Sequence, residues 1–293
     1  MNASAQAASA IAYRAGARSG RPSEGSPQAQ ASPAARRLRV AAASWFVVAA
    51  LGQLLFATYI AGFYGRMTVA GHPERWNQVM PRGYVSGDVF FNLVLGLHLA
   101  FAFVITVGGV LQVIPSLRRA RPSLHRWMGR AYVVAAAILA GGGLTMVWGR
   151  GAVGDLPQHV AISLNALIIL ACAATAWRHA RARRFDRHRV WALRLFLAVS
   201  GVWFFRIGLM AWIVANRGPA GFDPDTFSGP FLTTLAFGVY VVLPLSLLEL
   251  YLRAQRSCRV GAQYAMTAAL AVLTLVTAVG VAAAAALLWL PRL

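Results

Sequence analysis

Among its 293 residues the chain has no lysine, only two cysteines and only eight acidic residues. Cys172 lies in an apolar run and Cys258 in an Arg-rich connector, so neither a disulfide framework nor a Cys-rich metal site is available. Cys172 reads as a small buried residue. There is no phosphate-binding Gly-rich loop, no His-Glu-x-x-His, no Gly-x-Ser-x-Gly and no run of paired acids. The common hydrolase and nucleotide chemistries that need those patterns are set aside. Charge as a whole is scarce. It makes up 12% of residues, against about 25% in soluble domains.

What is abundant is apolar surface. The chain is 58% hydrophobic, with a mean hydropathy of +0.58. The formal charge of +20 comes entirely from arginine and is divided among segments between apolar runs. It forms no continuous basic face, which argues against a nucleic-acid partner. The apolar residues fall into seven runs, roughly 40–64, 90–114, 127–148, 157–177, 190–214, 231–252 and 265–290. A bilayer core needs about 20 apolar residues per helix. The expected fold is therefore all-α, a polytopic bundle of seven transmembrane helices over residues 39–293. Residues 1–38 are rich in Ala, Ser, Gly, Pro and Arg with one acid, Glu24, and predict a disordered tail. An organellar transit peptide has a similar composition, but Pro22, Pro27 and Pro33 interrupt the amphipathic helix it would need.

The arginines give an orientation. They crowd into the tail and the 2–3, 4–5 and 6–7 connectors, as in Arg118, Arg119, Arg121 and Arg178, Arg181, Arg183, Arg184, Arg187. The alternate connectors hold only Arg66, Arg75, Arg82, Arg150 and Arg217, with Arg292 at the end. Positive residues stay inside, so the N-terminus is expected in the cytoplasm, the C-terminus outside, and the location a bacterial inner membrane. Two outer connectors, 65–91 with Trp76 and Asp88 and 215–230 with Asp223 and Asp225, read as ordinary surface loops, with capping of an outer cavity as the alternative. The last run is nearly featureless and predicts a peripheral helix packed through small residues.

Chemistry is suggested mainly by four histidines. His125-Arg126-Trp127-Met128-Gly129-Arg130 opens the third run, and His188-Arg189-Val190-Trp191 with Arg194 opens the fifth. His98 and His159 stand near the outer ends of the second and fourth runs. Two histidines at one level of a bundle can supply both axial ligands of a haem. Two such pairs would make an electron path across the membrane through one or two b-type haems. His125 and His188 agree in depth, at the headgroup level. His98 and His159 differ by roughly 9 Å, at 1.5 Å per residue. The competing reading is that the His-Arg pairs anchor the helices and grip anionic phospholipid headgroups or another anion, since Arg can hold a phosphate at two points. A third is a structural or assembly role without cofactor.

Further polar groups lie inside the runs. Arg206, in the outer half of the fifth, needs a partner, a cavity or a path to the surface, with His98 or Asp88 within reach by depth. Gln112 shares the face of His98. Glu249 is placed to pair with Arg253, Arg130 or Arg194. Asn165 and Ser163 read as interhelical hydrogen-bonding groups.

The histidine layout over helices 2 to 5 resembles the transmembrane cytochrome b family that passes electrons from ascorbate across a membrane. That resemblance implies one haem held by helices 2 and 4 and one by helices 3 and 5. The residues Leu97-His98, Gln112, Leu124-His125-Arg126-Trp127-Met128-Gly129-Arg130-Ala131-Tyr132, His188-Arg189-x-Trp191 with Arg194, Arg206 and Glu249 also resemble the bacterial multi-pass proteins grouped as domain of unknown function 2306. That match spans about residues 90–253. It implies fold and membrane location, and no established activity.

Overall fold

The computed structural model describes residues 32–80, 83–151 and 153–293. Regular structure among these residues is helical, without strands. Six helices are long and apolar enough to cross a membrane: α1 (Pro33–Val69), α2 (Val89–Val113), α3 (Pro122–Gly151), α4 (Leu156–Arg181), α7 (Pro230–Arg256) and α8 (Val260–Arg292). Between α4 and α7, α5 (Phe185–Val199) and α6 (Gly201–Asn216) meet at a 50° bend and together make a seventh candidate span. The seven apolar runs thus correspond to six continuous helices and one broken one.

Local sequence sets the helix ends. α1 starts at Pro33 because Ser32 accepts a hydrogen bond from the Ala35 N–H and proline suits the first turn. Helix therefore begins before residue 38, where the tail was expected to end. Residues 1–31, which hold the rest of that tail, lie outside the described residues. Asp88 caps α2 by accepting from the Phe91 N–H, and Asp155 caps α4 through the Gln158 N–H. Two of the eight acids thus serve as helix caps.

The break at Ser200 has identifiable causes. A Ser-Gly pair is a common kink site, and the Ser200 hydroxyl bonds back to the Phe196 carbonyl. Asn165 of α4 donates to the Ala198 carbonyl at 3.1 Å and to the Tyr240 carbonyl at 2.9 Å. Gln53 of α1 donates to the Ser200 hydroxyl at 2.9 Å. Side chains from three other helices or their carbonyls thus meet where the backbone ladder is interrupted, as a kink within a bilayer requires. Asn165 acts as the interhelical hydrogen-bonding group expected of it, and Ser163 accepts from the Trp148 indole at 2.9 Å.

Helices α2 to α5 run as successive antiparallel neighbours, with α7 laid on α4. Their shared core is closed by small residues, Ala135, Ala136 and Ala140 of α3 against Ala166 and Ala173 of α4 and Ala198 of α5. The last helix departs from expectation. α8 packs along both α1 and α6, and Trp289 at its end is among the most buried large side chains. Small residues do make the contact, at Gly280, Ala283 and Ala284, but they draw α8 into the core instead of leaving it at the edge.

The connector after α1 is strapped down. Asn77 exchanges two hydrogen bonds with the Tyr84 backbone, and Asn92 two with Val85. Arg150 at the end of α3 donates to Asp88 Oδ2 at 3.0 Å, to Asn92 Oδ1 at 3.2 Å and to the Gly83 carbonyl at 3.1 Å. We predict that Arg150→Ala raises the rate of tryptic cleavage at Arg75 about fivefold, the effect of losing local stability worth roughly one charged hydrogen bond. An unchanged cleavage rate would show that the strap does not depend on Arg150.

Candidate functional site

Arg206 sits two turns beyond the break, inside the apolar part of α6. Its guanidinium makes one long hydrogen bond, 3.4 Å to the Val202 carbonyl of its own helix, and lies 5.5 Å from the Phe56 ring centre. Among the described residues no carboxylate pairs with it; the ion pairs are His72–Glu74, Arg150–Asp88 and Arg194–Glu249. Asp88, one expected partner, is held by Arg150 instead. Arg206 is close enough to act electrostatically on His98, Tyr59, Tyr64 and Tyr240. A cation kept in a low-dielectric region without a counter-charge is costly.

The surroundings of Arg206 are rich in polar nitrogen. Leu95, Leu99 and Ala102 of α2 pack onto one aromatic cluster with Trp203, Ile207 and Met210 of α6. His98 shares their helix face by its spacing. Its ring lies against α3, where a Cβ on Gly142 or Gly143 would stand 3.7 or 3.8 Å from ring atoms. The two glycines of the Gly141-Gly142-Gly143 run are thus where the imidazole fits. His98 Nδ1 is buried without a hydrogen-bond partner, and so are Trp76 Nε1 and Trp203 Nε1. Each belongs to, or faces, the same cluster. Buried polar atoms are nearly always paired, so three orphans in or against one aromatic cluster form a concentrated exception.

Helix geometry is irregular at the same place. α1 passes through a π segment at Ile60–Gly65, α3 at Met146–Gly151 and α8 at Ala285–Trp289. All three contribute residues to the cluster, among them Ile60, Met146 and Trp289. π segments are rare and concentrate at functional sites. Here one carries Tyr64 back over Tyr59, five residues earlier, so that the two hydroxyls interact and the rings meet edge to face at 5.7 Å. Trp76 reaches down from the strapped connector and meets Tyr64 at 6.3 Å. It is 4% exposed, so this connector does cover the cluster. Tyr59, Tyr64 and Trp203 were missed in the sequence because aromatic residues in apolar runs read as packing. The five-residue tyrosine spacing, wrong for an α-helix, was the available signal.

The other candidate residues lie elsewhere. His159 of α4 meets the Trp148 ring edge-on at 6.3 Å. On α3, Trp148 is five residues beyond Gly143, so His98 and His159 contact that helix at levels about 8 Å apart. At the Arg-rich end, His125 and His188 are near enough to interact electrostatically. His188 Nδ1 lies 3.0 Å from the Ala176 carbonyl, which can only accept, so Nδ1 is the donor there. Gln112 donates to the His125 carbonyl at 3.1 Å and joins α2 to α3 there, away from His98. Of the three arginines offered to Glu249, Arg194 takes it, through Nε at 3.0 Å and through Nη2, while stacked over Trp191 at 4.3 Å. Arg130 lies over the exposed Trp127 ring at 5.1 Å. Arg126 and Arg189, on the same helix ends, are not part of this pairing. No group of three or more His, Cys, Asp or Glu side chains is placed to hold a metal among the described residues.

Together, the apolar helices, the kink with its polar partners and the intramembrane arginine define a polytopic α-helical membrane protein. Residues 95–223 match the model of a family described as "Predicted membrane protein (DUF2306)". The resemblance carried by the His-Arg blocks is borne out over that stretch. It takes in His98, Gln112, both His-Arg blocks and Arg206, but ends before Glu249, short of the expected limit near residue 253. No curated protein and no solved structure matches the chain.

Proposed function

We propose that this protein binds an anionic ligand rich in hydrogen-bond acceptors, a lipid or a small metabolite, within its membrane region, as a binding or transport protein. The observation that carries this reading is Arg206, an intramembrane cation without a carboxylate partner among the described residues, with the unpaired nitrogen of His98 within its electrostatic reach and those of Trp76 and Trp203 in the adjoining aromatic cluster. An anion would supply the missing counter-charge, and its lone pairs would meet the orphaned indole N–H groups of Trp76 and Trp203. The Arg-rich connectors orient the chain with both the N-terminus and these connectors in the cytoplasm. The Arg206 cluster then faces the outer half of a bacterial inner membrane. Native mass spectrometry after gentle extraction from the host membrane tests the reading. The expected spectrum carries an added non-protein mass that dissociates as an anion; bare protein under conditions that keep bound lipid on a control membrane protein would refute it.

A second reading, electron transfer through a b-type haem, is favoured by one observation at the opposite end. His188, with Nδ1 held by a carbonyl, has the second-shell arrangement usual for a ligating imidazole, and His125 is its neighbour. The pair is suited to axial ligation, and a haem there would supply one-electron chemistry. His98 and His159 fit a shared haem poorly because of their offset along α3. The absorption spectrum of the same purified protein decides: a Soret band lost in His188→Ala supports this reading, and its absence from the wild type removes it.

A further inference from the structure

A second ligand site lies at the Arg-rich end, remote from Arg206. Arg194, Leu245, Ser246, Glu249, Leu250 and Arg253 line an open groove of about 490 Å³ between α5 and α7. Five of the six belong to α7 at positions 245, 246, 249, 250 and 253, a spacing that keeps them on one helix face. Along that face the chemistry changes in order. Leu245 and Ser246 lie at one end, Glu249 and Leu250 follow, and Arg253 closes the other end, about 12 Å from Leu245 at helical rise. The single acid is already taken by Arg194, which Trp191 holds in place by stacking. Arg253 has no carboxylate partner among the described residues and is exposed. The groove is therefore cationic at its Arg253 end and carries apolar side chains away from it, first Leu250, 52% exposed, and then Leu245 beside the Ser246 hydroxyl.

We propose that this groove holds one anionic phospholipid, with the phosphate on Arg253 and the edge of the Arg194 guanidinium and an acyl chain running along Leu250 to Leu245. The polarity gradient selects the lipid over a free anion. Inorganic phosphate would use the arginine but leave the apolar half exposed, whereas a phospholipid matches both halves in the direction in which a bilayer presents them. The cation surplus selects an anionic headgroup over a zwitterionic one.

The experiment compares phosphatidylglycerol with phosphatidylcholine retained by the full-length protein after extraction from mixed vesicles, quantified per mole of protein. The expected wild-type result is about fivefold enrichment of phosphatidylglycerol, the scale of one surface arginine acting on an anionic lipid. Arg253→Ala should bring the ratio to within about twofold of parity, with helix content by circular dichroism unchanged because the side chain is exposed. Leu245→Trp, which fills the acyl track and keeps every charge, should also lower retention. Enrichment that survives both substitutions would overturn the proposal. So would thermal stabilisation by inorganic phosphate alone equal to that by phosphatidylglycerol, which would make the ligand a free anion. The outcome is independent of the Arg206 reading, since neither substitution touches that cluster.

Discussion

Arg206→Gln is expected to abolish tight anion binding while leaving the ligand-free protein as stable as the wild type, or more so. The two effects have separate origins. Removing a guanidinium that donates to an anion loses a charged hydrogen bond worth about 1.5–3 kcal/mol, or roughly a ten- to hundredfold drop in affinity. In the ligand-free protein the same group contributes little that stabilises. Its hydrogen bond to Val202 is long, its cation–π contact with Phe56 is at 5.5 Å, and no carboxylate compensates it. Burying an uncompensated charge costs free energy, so its removal relieves a penalty. Thermal unfolding in detergent and titration with the anion identified from the native complex measure the two quantities side by side. A protein that loses stability and keeps its affinity would assign Arg206 to packing alone.

Gly280→Ala should destabilise the protein by about 3 kcal/mol, near the upper end for forcing one added carbon into a packed contact. A Cβ at Gly280 would overlap the Ile207 carbonyl oxygen and stand 2.9 Å from its carbonyl carbon and 3.1 Å from its Cβ. Backbone cannot step aside as a flexible side-chain end can, so α6 and α8 would have to separate. Ile207 follows Arg206 directly, so the shift would also disturb the anion site. Gly261, on the same helix α8, is the control. Nothing lies within 4 Å of its would-be Cβ, and alanine there should stabilise by about 1 kcal/mol through helix propensity alone. Equilibrium unfolding of the two variants should move in opposite directions; equal shifts would remove the close approach as the cause.

The spans themselves were legible because a bilayer forces each backbone segment to satisfy its own hydrogen bonds, which makes hydropathy a sufficient signal. Arg206 and His98 were legible for the related reason that polarity is conspicuous against such a background. Their surroundings were not. The cluster is completed by Tyr59 and Tyr64 of α1 and Trp289 of α8, helices with no feature in sequence beyond apolarity. Pairing between helices depends on which small residues meet, and Gly280 against Ile207 is a fact of three dimensions. The break at Ser200 was equally hidden, since a Ser-Gly pair occurs in many unbroken helices. What fixes it are Asn165 and Gln53, far away in the chain. The histidines divide along the depths already read in the sequence. Helix packing brings His125 near His188, which agree in depth, and sets His98 and His159, which do not, against different levels of α3.

The π segments place a constraint on how such a chain can vary in length. Each is a turn that accommodates one residue more than an α-helix requires. Deleting a single residue within Ile60–Gly65 would restore regular winding and turn everything beyond it by about 100°, carrying Tyr64 away from Tyr59 and from beneath Trp76. The helix would remain unbroken and equally apolar, and only the cluster would be lost. Relatives that keep the Arg206 site must therefore also keep the residue count of a stretch whose hydropathy is indifferent to it.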